Sequence, residues 1–348
     1  MQYVGTDLHK NSITVCVIEK VRGQRKVKAR RTMACKNTEG ILEFFQGLGK
    51  FQVVVEATAS YEWFFRLIEK EADRLVLAHP KKLRVIAESK HKSDKIDARV
   101  LAEFLALDMI PEAYRPSPRV QQHRVLVRHR HGIQQRITGV KCKLRHKLSY
   151  YNADLVDLFT ESGQQHLEQV VMSAADRFEV EALQEQLQLL QKQLQRGDER
   201  LQAFAKDAPV AEREARALLA TIPQIGPVTV DVVLSELGDW KRFRSAKKAA
   251  AYAGLDPGCR SSAGKSHQLS ISKEGSRHLR WILVEAAWRL VGKLRRWGQV
   301  YERLKENTGS CKKAIVGVAR RLLCVMFAML RKGQPYSLAM GSLVQDKK

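Results

Sequence analysis

The N-terminal third of the chain alternates between short apolar runs and segments with helical periodicity. Three β-rich runs come first, at residues 2–8, 12–19 and 26–34, and the polar turns between them predict a three-strand meander. Two segments with apolar residues at helical spacing follow, TEGILEFFQGL and YEWFFRLIEKEAD, and each precedes a buried-type strand, FQVVVEA and RLVLA. This order predicts an α/β domain with the layout of ribonuclease H-like folds.

A long helix with a basic flank is predicted between residues 115 and 148. No acid occurs between Glu112 and Asp154, whereas ten lysines and arginines do. A run of one sign costs self-repulsion unless an anion lies against it, which favours contact with a polyanion over an ordinary solvated helix face. The apolar positions that nearly share one face of this helix are 126, 133, 137, 140, 144 and 148.

A glutamine-rich stretch from about residue 177 to 206 contains apolar residues at heptad-like spacing, which predicts a short coiled coil. The seam is short and includes Gly197, so the pattern fits packing within one chain as well as dimerisation. Its members are Leu183, Leu187, Leu190, Leu194, Leu201 and Phe204.

The segment ALLATIPQIGPVTVDVVLSELGDW predicts a helix, a tight turn and a second helix. Backbone N–H groups in such a hairpin can hold a phosphate, although an ordinary helical turn fits the local sequence equally well. Residues 260–332 then contain 17 basic residues and 4 acids, which predicts a second polyanion-binding surface. The tryptophans at 281, 288 and 297 in this region are expected in the core rather than stacked on bases.

The composition agrees with a nucleic-acid partner. The 348 residues carry a formal net charge of +24, far more than solubility requires. No apolar run approaches the length of a membrane span, and the N-terminus lacks the charged and apolar regions of a secretory signal, so a cytoplasmic, nucleoid-associated protein is expected. The six cysteines are scattered without a C-x-x-C pair, which argues against a zinc site or a disulfide framework.

Four acids could form a metal site. Asp7 lies in an apolar strand, Glu56 ends the run VVVE, and Asp94 and Asp97 share one face at the start of a helix. Each acid alone fits a surface position, a helix cap or an ion pair. Clustered carboxylates repel one another unless hard cations neutralise them, and oxygen ligands suit Mg²⁺ or Mn²⁺. Two such ions can clamp a phosphodiester during an in-line displacement.

A second candidate site lies in the segment 256–280, which is rich in serine and glycine. The simplest interpretation is a flexible loop. However, Ser261 and Ser262 stand between Arg260 and Lys265, and Lys273 and Arg277 follow, so that a serine hydroxyl could face a phosphate held by cations. The chain has no G-x-S-x-G elbow, which argues against a hydrolase triad.

Seven motifs together resemble one family of proteins. They are YVGTDLHK, VVEATASYEW, KSDKIDARVLAEF, IPQIGPVTV, AAYAGLDP, RSSAGK and ISKEGSRHLR, in this order, and they extend over nearly the whole chain up to about residue 335. This set resembles the bacterial insertion-sequence transposases of family one-ten.

The resemblance implies a RuvC-like domain with a DEDD carboxylate set, which corresponds here to Asp7, Glu56, Asp94 and Asp97. It also implies a C-terminal transposase domain with a nucleophilic serine, for which the register indicates Ser262 and leaves Ser261 open. Proteins of this family use Mg²⁺ at the carboxylates and form a phosphoserine link to cut DNA.

The resemblance further implies the partners. A structured RNA encoded beside the gene pairs with donor and target DNA, and homodimers assemble into tetramers with composite active sites, which would give the leucine seam a use as a dimer element. Sequence would then be read by base pairing, and the protein would hold backbones through its two basic surfaces. The cations expected to do so are Arg124, Arg128, Arg136, Lys141, Lys143, Arg145, Arg260, Lys265, Lys273 and Arg277.

The sequence therefore predicts a RuvC-like domain at 1–112, a basic-helix and coiled-coil segment at 113–207, and a mainly helical serine-bearing domain at 208–348. Three other classes of function stay open. A RuvC-type junction endonuclease would use the same acids without Ser262, and a binder without catalysis would need neither. An actin-like ATPase would need a second copy of its fold, and no such repeat follows residue 110.

Overall fold

The computed structural model describes residues 1–21, 23–58, 61–86, 94–262 and 265–336, and it describes only the backbone of residues 84–86, 94–96, 259–262 and 265–269. The chain divides into two compact units, Met1–Arg115 and Pro116–Lys348. The first boundary falls close to the one that the sequence predicts at residue 112. The further division at residue 207 stays a prediction.

The first unit is built on a five-stranded sheet with the strand order β3-β2-β1-β4-β5. The pairs β1–β2 and β2–β3 are antiparallel, whereas β1–β4 and β4–β5 are parallel. The predicted meander followed by alternating helices and strands is therefore confirmed. The strands are β1 (Gln2–Leu8), β2 (Ser12–Val21), β3 (Gln24–Ala34), β4 (Phe51–Glu56) and β5 (Arg74–Ala78).

Helices cover both faces of this sheet. On one face, α1 (Thr38–Gln46) and α2 (Tyr61–Ile68) bury aromatic residues such as Phe45 and Phe64 against apolar strand positions. On the other face, α4 (Asp94–Ala106) packs on the central strands, and the short helix α3 (Pro80–Ile86) precedes it in the chain. A sheet buried on both sides explains why the central strands read as nearly continuous apolar runs.

One glycine sets the separation between α4 and the sheet. A Cβ atom at Gly5 would lie only 2.0 Å from the carbonyl oxygen of Ala98 and 2.4 Å from the backbone nitrogen of Ala102. No side chain fits such a gap, so the helix backbone rests directly on β1.

The second unit is mostly helical. Its elements are α5 (Pro118–Tyr150), α6 (Glu161–Gln169), α7 (Ala174–Lys206), α8 (Val210–Ala220), α9 (Pro227–Leu237), α10 (Ala246–Tyr252), β6 (Pro257–Ser262), β7 (Lys265–Ile271), α11 (Arg277–Lys293), α12 (Arg295–Thr308) and α13 (Cys311–Lys332). The predicted long helix is α5, and the predicted helix–turn–helix is formed by α8 and α9. No described helix has the length and apolar character needed to cross a membrane.

The leucine seam is buried within the chain. Leu183, Leu187 and Leu190 on α7 pack against Ile137, Leu144 and other apolar residues of α5. Of the two interpretations left open by the sequence, packing within one chain is the one observed, and the use of the seam as a dimer element stays a prediction. The physical reason is that α5 offers a matching apolar stripe within the same chain.

Helices α8 to α13 enclose the core of the rest of this unit, together with Val127 of α5 and Leu201 of α7. Trp297 is buried in this core as expected, whereas the side chain of Trp288 is 46% exposed. The hairpin of β6 and β7 was not predicted, because its serine- and glycine-rich sequence has the composition of a loop. The five described cysteines, Cys16, Cys35, Cys142, Cys311 and Cys324, are free thiols.

Candidate active site and nucleic-acid surfaces

Asp7 and Glu56 stand side by side at one edge of the sheet. In the parallel pairing of β1 with β4, Gly5 lies opposite Val54 and Thr6 opposite Val55, so the next positions in the register are Asp7 and Glu56. Gly5 contacts α4 and Val54 packs with Leu101 of α4. Because side chains alternate between the faces of a strand, Asp7 and Glu56 also point to the α4 side.

The N-terminus of α4 lies at this same edge. Ala98 rests on Gly5, whereas Leu105, two turns further along the helix, packs in a cluster with Tyr3. The helix therefore runs opposite to β1, and Asp97, directly before Ala98, is brought toward the end of β1 that holds Asp7. Asp94 begins the helix, and its side chain lies outside the described part of the structure.

His9 adds a nitrogen to this edge that the sequence interpretation missed. Its Nε2 atom lies 3.1 Å from Oδ2 of Asp7, whose side chain is 19% exposed. The spacing of two residues could have indicated this contact, since positions i and i+2 of an extended chain share a face.

The donor set fits a hard divalent cation in its chemistry, since Asp7, Glu56 and Asp97 offer carboxylate oxygens at one edge. Within the described residues, no three His, Cys, Asp or Glu side chains are grouped closely enough to hold a metal ion. The fourth acid of the predicted set, Asp94, belongs to the side chains that are not described.

Ser262 is the last residue of β6. In the antiparallel hairpin Ser262 pairs with Lys265, Ser261 with Ser266, and Arg260 with His267. The backbone thus places both candidate serines at the end of a strand. The side chains of these serines, of Arg260 and of Lys265 lie outside the described part of the structure. Lys273 and Arg277 follow the hairpin and are exposed.

The cations of α5 meet acids that the sequence interpretation did not pair with them. Arg128 donates two hydrogen bonds, at 2.8 and 3.0 Å, to the carboxylate of Glu236, whose side chain is 1% exposed. Arg124 donates to the backbone carbonyls of Ser235 and Glu236 near the end of α9. Cations are favourable at this position because the last carbonyls of a helix carry partial negative charge.

The same holds for other cations along α5. Arg145 lies 3.3 Å from Asp154, and further pairs join α5 to acids of α7 and α8: Arg119–Glu212, Arg130–Asp198 and Lys147–Asp176. The premise that this run lacks compensating acids is therefore wrong. The acids lie outside the run, and most of them come from distant parts of the chain.

Of the cations predicted to bind nucleic acid, Arg124, Arg128 and Arg145 have protein partners. Within the described chain Arg136, Lys141 and Lys143 pair with no acid.

A buried ionic network fixes α5 to α8 and α9. The Oδ1 atom of Asp231 accepts a hydrogen bond of 2.6 Å from Arg216 and lies 2.8 Å from Nε2 of His123, and the Asp231 side chain is 8% exposed. Arg216 also donates to Glu212, which in turn accepts from Arg119. Buried charges need such partners, so the network specifies how these three helices pack.

Burial and ion pairing act in opposite directions on the pKa of Glu236. Burial on its own raises this pKa, but the hydrogen bonds and charge of Arg128, with the nearby charge of Arg124, outweigh burial and bring the pKa below its ordinary value. The same balance, with Arg119 and Arg216 as the cations, lowers the pKa of Glu212. Both carboxylates are therefore charged at neutral pH and stabilise the fold there.

The turn between α8 and α9 borders a cavity of about 590 Å³. Gly226 is the N-cap of α9 and offers no side-chain cap, and Arg130, Trp281 and Arg289 line the cavity. Arg289 donates to the hydroxyl of Thr229 in the first turn of α9. Phosphate binding at this turn stays a prediction.

Comparisons with known proteins identify two transposase domains in the chain. The family model described as "Transposase IS116/IS110/IS902 family" matches residues 216–302, and a transposase model for the IS110 type of DEDD domain matches residues 4–153. These domains define the chain as a transposase, an enzyme of DNA recombination. The second match contains Asp7, Glu56, Asp94 and Asp97, and a DEDD transposase domain implies a divalent metal.

Relatives of similar length include the pilin gene-inverting protein of Moraxella bovis, which is 24% identical over 96% of this chain and 97% of its own. The transposase for insertion sequence element IS1328 of Yersinia enterocolitica is 26% identical over 82% of each chain. The chain belongs to the IS116/IS110/IS902 family of transposases, which confirms the resemblance to family one-ten.

Proposed function

We propose that this transposase cuts and rejoins donor and target DNA through a phosphoserine at Ser262, with Mg²⁺ or Mn²⁺ held by Asp7, Glu56, Asp94 and Asp97, under the guidance of an element-encoded RNA. The observation that supports it best is the common edge shared by Asp7, Glu56 and the start of α4. Asp7 and Glu56 come from separate strands and are neighbours in the register, and a purely structural role for the acids does not require this placement.

The chemistry divides between the metal and the protein. A bound divalent ion would polarise the phosphoryl group and offset its negative charge. The protein supplies the carboxylate oxygens, and the contact of α4 with Gly5 holds the helix that carries two of them. His9 orients the carboxylate of Asp7 through the 3.1 Å contact.

The covalent step exchanges one phosphodiester for another. The Ser262 hydroxyl loses its proton to water, its oxygen bonds to phosphorus, and the bond from phosphorus to the departing deoxyribose oxygen breaks. That oxygen takes a proton from water. When a different deoxyribose hydroxyl attacks the phosphoserine, the strands are joined in a new order and the serine is regenerated. The bond energy is conserved, so the exchange needs no ATP.

RNA and DNA would be held mainly through their backbones. Cations without an acid partner in the described chain support this part of the proposal. They include the exposed Arg136, Lys143, Lys273 and Arg277 and the partly buried Lys141. In a homodimer that assembles into a tetramer, acids of one protomer would act with the serine of another.

The test compares two neighbouring serines in the full-length protein. Ser262→Ala should abolish both strand exchange and the covalent protein–DNA adduct, because no other group replaces the attacking oxygen. Ser261→Ala serves as the matched control and should retain both. The adduct is measured by denaturing electrophoresis after incubation with element-end DNA, the guide RNA and Mg²⁺.

Each other outcome identifies a different enzyme. If Ser262→Ala leaves metal-dependent cleavage intact and neither serine forms an adduct, the protein is a RuvC-type endonuclease and the serine mechanism is wrong. If only Ser261→Ala abolishes the adduct, the nucleophile is Ser261. Asp7→Asn should abolish cleavage in every catalytic version, and retention of full activity would contradict the role of the carboxylates.

A further inference from the structure

Strand β3 is an exposed, strongly basic edge of the sheet. It is the terminal strand of the order β3-β2-β1-β4-β5, and nearly every residue of Gln24–Ala34 is exposed. The strand contains five basic residues and no acid: Arg25, Lys26, Lys28, Arg30 and Arg31. This strand lies outside the two basic surfaces that the sequence interpretation identified.

The described part of the first unit offers these cations little compensation. Lys28 lies 3.9 Å from Glu19 of β2, at the limit of an ion pair, and Arg31 lies over the ring of Phe44. No described acid pairs with Arg25, Lys26, Arg30 or Arg31. The contrast with α5, where most cations have an acid partner, indicates a surface that is completed by an anion.

Two of these cations face the side of the sheet that holds the acids. Arg30 pairs in register with Cys16 and Arg25 with Lys20, and Cys16 and Ile18 of β2 pack against α4. Because side chains alternate along β2, Lys20 shares the face of Ile18. Arg25 and Arg30 therefore lie on the α4 side, the same side as Asp7.

Hydroxyl groups connect the cations to the carboxylate edge. Asp7 pairs with Thr14 across β1 and β2, and Thr14 pairs with Thr32 across β2 and β3. The two threonine hydroxyls lie 3.1 Å apart, and with Arg30 they line a cavity of about 290 Å³. A row of polar side chains thus extends from Asp7 across β2 to β3, the basic outer strand of the sheet.

Protection of an edge strand is an insufficient explanation for this charge. Lysines and arginines on edges do deter strand pairing between molecules. One or two charges of either sign serve that purpose, whereas five cations on one strand repel one another.

We propose that the α4-side cations of the β2–β3 ribbon, Lys20, Arg25 and Arg30, bind the phosphate backbone of the DNA strand whose scissile linkage lies at the Asp7–Glu56 edge. The assignment to DNA rests on the proposed role of the carboxylates, since the exposed Thr32 and Arg30 of β3 lie on the same face of the sheet as Asp7 and two strands away in register. Arginine and lysine contacts to phosphates fix position and carry no sequence information. The ribbon would therefore act on any DNA that the guide selects.

The experiment measures how the DNA affinity of the full-length protein depends on salt. The variant Arg25→Gln/Arg30→Gln is compared with Lys50→Gln/Lys70→Gln, which removes the same charge from exposed positions of the same unit. The probe is a random-sequence 30-base-pair duplex. Each lost phosphate contact lowers the salt slope by about 0.9, so the first variant should lose about 1.8 and the control nothing. Between 50 and 200 mM salt, the wild type should then lose about twelvefold more affinity than the variant.

Further measurements separate this proposal from its alternatives. A single-stranded RNA of 30 nucleotides is measured in parallel, and a slope that falls for RNA as much as for DNA would overturn the assignment to DNA. Equal salt slopes for the variant, the control and the wild type would show that these cations do not bind DNA phosphates. Ser262→Ala should keep the wild-type slope, so failure of the serine mechanism leaves this result standing. Thermal unfolding verifies that both double variants are folded.

Discussion

Helix α5 and strand β3 are both basic segments without a single acid of their own, yet their cations have different surroundings. Arg128 of α5 forms two hydrogen bonds with a buried carboxylate of α9, and Arg130 pairs with Asp198 of α7. On β3, the ion pair in the described structure is that of Lys28 with Glu19 at 3.9 Å. The charge of α5 is largely compensated by the fold, and that of β3 is not.

The difference teaches that a local surplus of charge in a sequence has two structural explanations. A segment in the interior of a helical unit can take its counter-charges from helices that are distant in sequence, as α5 does. An edge strand has a neighbour on one side only, so fewer elements can supply such acids. Three substitutions, in order of decreasing expected effect, test how far this comparison holds.

The largest effect is expected for Asp231→Ala. This change leaves His123 and Arg216 in the buried network without their shared carboxylate, and breaking such a buried pair costs about 3 kcal/mol of unfolding free energy. Urea unfolding followed by circular dichroism measures the loss. The exposed acid Glu181 on α7 provides the control, since Glu181→Ala should change stability by less than about 0.5 kcal/mol. An unchanged stability of Asp231→Ala would show that the network does not hold α5.

The substitution Arg128→Met tests the role of an α5 cation through the pH dependence of the unfolding free energy. In the wild type the folded-state pKa of Glu236 is below its ordinary value, so its stabilising contribution is present above about pH 4.5 and is lost as pH falls through the folded pKa. Without Arg128, burial is opposed only by the charge of Arg124 and the hydrogen bond of Ser276, so the pKa of Glu236 should rise and the charged carboxylate should destabilise the fold at neutral pH. The variant should be less stable by about 2 kcal/mol at pH 7, a value discounted for the 46% exposure of Arg128.

The pH dependence of this difference in unfolding free energy is the decisive measurement. The gap between wild type and Arg128→Met should narrow as pH falls from 7 toward 4, because protonation removes the unpaired charge of Glu236. Arg128→Lys keeps a cation and should recover most of the stability at pH 7. A gap that is constant with pH would mean that Arg128 acts through packing alone.

The smallest effect is expected for Glu19→Gln on the ribbon. Its pair with Lys28 is long and exposed, so unfolding free energy should change by less than about 0.5 kcal/mol. The affinity for duplex DNA should rise slightly at low salt, because the change removes the acid nearest to the β3 cations. Fluorescence anisotropy at 50 mM salt measures this. A clear loss of stability would show that β3, like α5, depends on compensation within the fold.

Much of the first unit could be predicted because its elements have strong local patterns. The strands of FQVVVEA and RLVLA are apolar on both faces, and the run GILEFF has helical spacing with Asn37 as the observed cap. The neighbouring positions of Asp7 and Glu56 follow from the parallel register of β1 and β4, whereas the position of Asp97 depends on the contact of α4 with Gly5. His9 was missed because its spacing of two residues from Asp7, which places both on one face of an extended chain, was not considered.

The second unit resisted prediction where its structure depends on distant contacts. Nothing near Arg128 in the sequence indicates Glu236, more than one hundred residues away, so the pairing of α5 was not foreseen. The hairpin of β6 and β7 has few apolar residues, and its pairing rests on backbone hydrogen bonds between two short polar strands. The leucines of α7 fit two partners equally well until the apolar stripe of α5 is considered in three dimensions.

The contact between Gly5 and Ala98 has a consequence for the spacing of the acids. The spacing between acids on the helix and acids on the strands depends on a hydrogen atom at a position where nineteen other residues carry carbon. A single methyl group there would lift α4 and widen the carboxylate edge as a whole. Position 5 thus fixes how far the acids of α4 stand from those of the strands, although Gly5 itself has no side chain.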